Sequence, residues 1–314
     1  VPDTAETVTV TLEKAPERSY EPMAEVWPSF RADEYNNGVV NAKTPTTAED
    51  AVLYWATQLG EDYSADACGC PILVGDHLYT YAKDIIYKLN VVTGEIESKG
   101  KMDHRSSFAI NSPTYAEGML FVGLSDGGVQ AFDADTLESL WIYRDSLGGQ
   151  PNCPIYYHNG YIYTGFWQGE KENANFVCLS VTDEDPTRGD EEKLPTWQYR
   201  SLGGFYWAGT YVADNYVLIP TDDGDSGYTS GYASILSLNP RTGELISSIR
   251  LPHPGDARSS VTFDNGRAYF TTKGGYFYSA AVSENGELSD LRHIKLYNYA
   301  NDAKNPVNTK AVTA

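Results

Sequence analysis

The chain of 314 residues is poor in cysteine, histidine and positive charge, and each shortage closes off a class of function. Four cysteines, Cys68, Cys70, Cys153 and Cys178, are too few for a disulfide scaffold and lack the paired CxxC spacing of a structural zinc site. Five histidines, at 77, 104, 158, 253 and 293, form neither an HExxH pair nor a CxxCH haem attachment. There is no GxSxG elbow and no phosphate-binding glycine loop, which argues against hydrolase and nucleotide-dependent chemistry. With 23 basic against 43 acidic residues, the formal charge of −20 leaves no electrostatic footprint for nucleic acid. No stretch approaches the roughly 18 to 20 apolar residues of a membrane span, and Val1 opens no signal peptide, so the expectation is a soluble, already processed chain.

What is abundant points to strands and turns. The chain has 24 Tyr against 10 Phe, and a ring with a polar tip suits a half-buried pleated surface. Its 28 Gly and 16 Pro supply turns in number, so the class expected is all-β.

A unit of strand, tight turn and Tyr-rich strand recurs five times: PILVGDHLYTY from Pro71, PTYAEGMLFVG from Pro113, PIYYHNGYIYTG from Pro154, YVADNYVLIPT from Tyr211 and VTFDNGRAYFTT from Val261. HNG and DNG are hairpin signals. A third strand follows each copy and ends in a polar turn, as in IIYKLNVVTGE and ILSLNPRTGEL. A fourth, outer strand then closes the unit: SLWIYRD, TWQYRS, ISSIRLP, LRHIKLY and the weaker IESKGKM. Four-stranded units at this interval are the mark of a β-propeller of antiparallel blades.

WPSFRADEYNNGV, beginning at Trp27, resembles the WPxFRG opening of PQQ-like propeller proteins. The DxxTG turns and the outer-strand Trp phrases resemble their repeat. The resemblance runs from about Trp27 to the C-terminus and implies a propeller over residues 27–314, with residues 1–26 an N-terminal arm or linker in which VTVTLEK alternates as a strand would. It also implies a ring of roughly six to eight blades. Five inner-strand sets are fewer, so the expectation is a ring completed by further residues, the competing reading being a compact five-bladed ring. AVLYWATQLG, from Ala51, reads as an outer strand with no inner strands before it. The family further implies an exported, extracellular or cell-surface bacterial protein, and it includes quinone-dependent dehydrogenases as well as assembly scaffolds.

In a propeller, the loops leading into each inner strand and those joining second and third strands gather on one face. On that face fall Arg105 with Ser106, Tyr206 with Trp207, and Arg258 with Ser259, where two Arg forks could hold a carboxylate or sulfate and an aromatic ring could stack on a planar ligand. The plainer reading makes the two RSS phrases loop anchors. His104 is the one histidine on the same face beside an arginine. Asp222, Asp223 and Asp225 resemble a calcium loop without the distal Glu of an EF-hand, or form an acidic hairpin loop. TDEDPTRGDEEK, from Thr182, reads as a solvated excursion. Cys70 and Cys153 each precede a Pro-Ile pair, which puts them at equivalent heights in alternate blades. Cys178 could pair with Cys68 or Cys153; buried thiols and a soft-metal site are the alternatives.

Two functions are carried forward. The first is a non-catalytic secreted or cell-surface scaffold without a cofactor, binding a protein, a glycan or a small ligand, with additional domains or a further chain covering the open propeller edge. The second is a PQQ-dependent quinoprotein dehydrogenase oxidising an alcohol or sugar, with PQQ on the axis and calcium beside it. Quinoprotein alcohol dehydrogenases carry adjacent cysteines, whereas Gly69 separates Cys68 from Cys70.

Overall fold

The computed structural model describes residues 26–33, 35–36, 38–39, 44–60, 68–106, 111–222 and 230–296. The described residues are all-β, in five sheets whose blade strands pair antiparallel. After β1 (Val26–Trp27), the first blade is β2 (Ile72–Val74), β3 (His77–Ala82), β4 (Ile85–Asn90) and β5 (Ile96–Lys101). The second is β6 (Thr114–Ala116), β7 (Met119–Leu124), β8 (Gly128–Asp133) and β9 (Ser139–Arg144). β10 (Tyr156–His158), β11 (Tyr161–Gly165), β12 (Asn173–Ser180) and β14 (Trp197–Leu202) form the third, interrupted by β13 (Glu191–Lys193). The fourth holds β15 (Tyr211–Val212), β16 (Val217–Thr221), β17 (Ser234–Leu238) and β18 (Leu245–Arg250), and the fifth β19 (Thr262–Asp264), β20 (Arg267–Thr271), β21 (Tyr276–Val282) and β22 (Leu288–Lys295). Strand order within each blade follows the chain. The hairpin signals act as expected: Asn159 and Gly160 hold φ of 46° and 82°, and Asn265 and Gly266 hold 45° and 73°, the paired positive angles of a type I′ turn.

Between consecutive blades lie apolar cores, because each strand's alternate side chains face the two neighbouring blades. One core joins Phe121, Val129 and Trp141 of the second blade to Ile155, Ile162, Val177 and Leu179 of the third. The next joins Tyr163, Phe176 and Trp197 to Val217, Ile219 and Leu238. In both, an outer-strand tryptophan reaches over to the next blade and donates its indole N–H to the residue just past the third strand: Trp141 to the Val181 carbonyl at 3.4 Å and Trp197 to the Pro240 carbonyl at 2.9 Å. The turn glycine there is what lets the ring lie flat, since a Cβ on Gly243 would come within 2.5 Å of Trp197. Between the first and second blades Ser98 stands at the tryptophan register and donates to the Thr136 carbonyl. The turn glycine is replaced there by Leu137, held at φ 61° and buried.

The first blade has the same apolar face on its other side. By ladder register, Leu78, Tyr87, Leu89 and Val91 stand where Ile162, Val177, Leu179 and Val181 stand in the third blade. Trp55 packs on this face, donating to the Val91 carbonyl at 3.0 Å, and Thr57 donates to the Gly94 carbonyl at 2.5 Å. A Cβ on Gly94 would lie 2.4 Å from the Trp55 ring. Residues 51–60 are thus seated as an outer strand would be, yet among the described residues no inner strand lies beside them and they form no ladder. The strand expected there is corrected to a segment without regular structure, held by the side chains of Trp55 and Thr57.

The WPSFRA phrase is a strap. Trp27 pairs with Leu73, the Pro28 carbonyl accepts from the Tyr115 amide, and buried Asn36 donates to the carbonyls of Thr210 and Val261, so the segment links the first two blades to the last two. Ala32, where the family phrase has glycine, holds φ 69°. The acidic excursion is also corrected: β13 pairs in parallel with β9 on the outside of the second blade, and Lys193 is buried with its ammonium 5.2 Å from the Trp141 ring. VTVTLEK lies outside the described residues.

Candidate functional site

Five loops converge on one face at the third, fourth and fifth blades. Trp167 and Glu170 come from the β11–β12 loop, Tyr206 and Trp207 from the loop before β15, and Asp222 follows β16. Asp256, Arg258 and Ser259 precede β19, and Lys273 lies between β20 and β21. These are the loop classes expected to gather on one face.

Arg258 is the hub. Its side chain is 4% exposed, and Nη2 donates to Glu170 at 2.7 and 2.8 Å, to Asp222 Oδ2 at 2.8 Å and to Asp256 Oδ2 at 2.7 Å, while Nε donates to Asp222 Oδ2 at 3.1 Å. Asp222 and Asp256 are nearly as buried, at 1% and 2%, and Glu170 is 30% exposed. A buried guanidinium needs such partners, and its fork supplies a donor to each of them. Burial works against the Arg258 charge, but the three carboxylates outweigh it and hold its pKa above the ordinary arginine value. Burial drives the Asp222 pKa well up, and Asp256 and Glu170 add to this against the pull of Arg258. Burial, then Arg258, lowers the pKa of Lys273.

An aromatic stack adjoins the hub. Tyr206 lies 4.4 Å from Trp167 and 4.6 Å from Trp207, ring to ring, with the Arg258 guanidinium 4.6 Å from the Tyr206 centroid and the Lys273 ammonium 5.3 Å from the Trp207 centroid. Trp207 sits in the left-handed region at φ 58°. Among the described residues, Asp222 Oδ1 and the indole N–H groups of Trp167 and Trp207 are buried without a hydrogen-bond partner.

Of the residues expected on this face, the structure unites Tyr206, Trp207, Arg258 and Asp222. Arg105 does not join them: its side chain is exposed, its carbonyl accepts from the Ser125 amide, and Ser106 lies beside the Tyr81 hydroxyl. Two guanidinium forks sharing one ligand are therefore corrected to one buried fork bonded to three carboxylates. Ser259 is an anchor, its hydroxyl accepting from the Thr271 amide at 2.8 Å. His104 is exposed and paired with Asp103 at 2.9 Å. Asp223 and Asp225 lie outside the described residues, and Asp222 belongs to the hub.

The four cysteines form no disulfide with one another. Cys70 and Cys153 are one residue out of register, a correction that period-two geometry makes large. Thr80 and Thr164 occupy one ladder position, and they bond the carbonyls of Gly69 and Cys153, so Gly69 is the counterpart of Cys153. Cys70 is exposed as a result, while burial pushes both the Cys153 and Cys178 thiols up to about 12.

Glu170, Asp256, Trp167 and Lys273 were not among the expected site residues. Glu170 and Trp167 could have been found from the rule that β11–β12-type loops share the ligand face. No local signal marks Lys273.

Four-stranded sheets that follow one another along the chain and pack face to face make the described residues a β-propeller. The family described as outer membrane protein assembly factor BamB matches residues 37–170. No curated protein matches the sequence. Among solved structures, a quinohemoprotein alcohol dehydrogenase from Comamonas testosteroni has a TM-score of 0.65 at 14% identity, covering 87% of this chain and 50% of that one. A second, quinohemoprotein alcohol dehydrogenase ADHIIG from Pseudomonas putida HK5, has a TM-score of 0.63 at 17% identity, covering 86% and 48%. A europium-containing methanol dehydrogenase has a TM-score of 0.61 at 13% identity, covering 85% and 58%. The chain thus spans about half the length of the dehydrogenases whose fold it shares.

That fold raises the question of a quinone held beside a metal ion. The oxygens of Glu170, Asp222 and Asp256 lie within 4.8 Å of one another, close enough to hold a cation. The residues present do not fit the pair of groups, because Arg258 already bonds all three carboxylates and Tyr206 is stacked against two neighbouring indoles.

Proposed function

We propose that this chain is a non-catalytic binding or scaffold module of an exported protein, and that the open face of its first blade is an assembly surface for β-strands of the same repeat type. One observation carries the proposal: Trp55 makes in this half-built joint the bond that Trp141 and Trp197 make in complete ones. Beside it opens an apolar groove of about 470 Å³ lined by Trp27, Tyr54, Trp55, Ile72, Leu78 and Val91. Val52, Leu53 and Tyr54 stand 39%, 66% and 58% exposed along the segment that an incoming strand would pair with. An apolar, unpaired edge of this kind recruits strands, as in β-augmentation.

The dehydrogenase reading is weaker, because the carboxylates it would use are committed to Arg258. The assembly factor named by the family match supports a scaffold, and export fits the same likeness.

Sedimentation of the purified chain over a wide concentration range, beside a Leu53→Lys/Tyr54→Lys variant, tests the proposal. The expected result is concentration-dependent association of the wild type that the variant loses without a change in its melting temperature. A wild type that stays a monodisperse monomer at every concentration overturns it.

A further inference from the structure

We propose that Arg258 is a tethered counter-cation standing in the place of a metal ion, so that the Glu170, Asp222 and Asp256 cage is a latent site for a hard, oxygen-seeking cation that the guanidinium keeps closed. The inference goes beyond the assembly face and concerns the loops of the third, fourth and fifth blades.

The cage has the chemistry of a calcium or lanthanide site. Its three carboxylates come from three different loops and converge within 4.8 Å, and each is fixed by a bond of 2.7 or 2.8 Å to one guanidinium nitrogen. Hard cations take such oxygens at about 2.3 to 2.6 Å, so a small contraction suffices. Three carboxylates against one guanidinium leave a formal surplus of negative charge, and two of the three have side chains only 1% and 2% exposed. Asp222 is the group least reconciled to this: its side chain is 1% exposed, and Oδ1 is without a partner among the described residues while Oδ2 takes two bonds from Arg258. Asp222 also lines a cleft of about 250 Å³ between the third and fourth blades, with Ser201, Thr221 and Tyr232, which offers a route from solvent to the cage.

Three features favour the guanidinium over a free ion. Arg258 is covalently present at high effective concentration, and Ser259 beside it is pinned to the Thr271 amide. Its planar fork serves three acceptors at once. The ammonium of Lys273, against Trp207, opposes any further positive charge. The hub is then a clasp that ties the third, fourth and fifth blades.

Trp167 and Trp207 make the site readable, because indoles at this range sensitise terbium luminescence. Tb3+ is titrated into the wild type, Asp222→Asn, Arg258→Gln and the Arg258→Gln/Asp222→Asn double variant, with folding checked by circular dichroism. In the wild type, any indole-sensitised emission is expected to be the same with and without Asp222→Asn. Arg258→Gln should gain a saturable one-to-one signal, lose it in the double variant, and melt at a higher temperature with Tb3+ than without. Arg258→Lys, which keeps the charge but not the fork, guards against a misfolded Arg258→Gln and should gain the same Asp222-dependent signal at higher Tb3+ than Arg258→Gln needs. Emission from the wild type that Asp222→Asn abolishes would show that a metal displaces the guanidinium and overturn the inference. So would a folded Arg258→Gln or Arg258→Lys without the new signal. Neither result bears on the association of the first blade, which sedimentation reads separately.

Discussion

The joint between the second and third blades and the outer face of the first blade are built from the same parts, and only one is finished. In the joint, Trp141 is fully buried, donates to the Val181 carbonyl and shares a core with four apolar side chains from β10–β12 and the residue before them. On the first blade, Trp55 donates to the equivalent Val91 carbonyl, but it is half-buried, and the cluster behind it is reduced to Ala82, Tyr87 and Leu89 with partly buried neighbours. The contrast separates two contributions to a blade joint. Seating the tryptophan depends on one carbonyl of the receiving blade, joined under Trp55 and Trp197 by a turn glycine. Completing the core depends on strands from the donor blade, and without them among the described residues Val52, Leu53 and Tyr54 stay exposed beside Trp55.

Truncating the two tryptophans breaks the comparison most forcefully. Trp141→Ala should cost about 3 to 5 kcal/mol, because it empties a closed core, whereas Trp55→Ala should cost less than about 2 kcal/mol. Denaturant melts of both variants measure this, and equal losses would mean that the first-blade face is as complete as the joint. The turn glycines sharpen the same contrast at smaller scale. Gly94 and Gly243 have matching angles, φ 73° and 71°, and nearly equal approaches of 2.4 and 2.5 Å to their tryptophans. An alanine pays the left-handed backbone cost at either site, about 1 kcal/mol, but only Trp55 is free to swing aside. Gly243→Ala is therefore expected to lower the melting temperature more than Gly94→Ala, and the reverse order would place Trp55 in a rigid site.

Much of this was legible in the sequence, for reasons the two regions make clear. Hairpins and outer strands are specified within a dozen residues, so HNG, DNG and the recurring Trp phrases located the blades. The phrase AVLYWATQLG was read correctly as the place of an outer strand and incorrectly as a strand, since a ladder needs a neighbour that no local pattern supplies. Register was the other failure. Two Cys-Pro-Ile phrases look alike, but the ladder aligns Cys153 with Gly69, and a shift of one residue turns a buried thiol into an exposed one. β13 was hidden by its composition: Glu-Glu-Lys reads as solvated until Trp141 and β9 give Lys193 a place to lie. At the hub, loop position points to Tyr206, Trp207 and Arg258, and the acidic run after Thr221 points to Asp222. Glu170 was not legible, because a carboxylate 88 residues away in sequence leaves no trace beside the arginine that it neutralises.

Hydrogen exchange along the chain tests the central claim most directly. If the first-blade face is an unfinished joint, the amides of Val52–Thr57 should exchange orders of magnitude faster than those of Ser139–Arg144 in the dilute chain and gain protection as it associates. Equal protection of the two segments at the lowest concentration would contradict the account, since Val52–Thr57 would then already be paired and the face already closed.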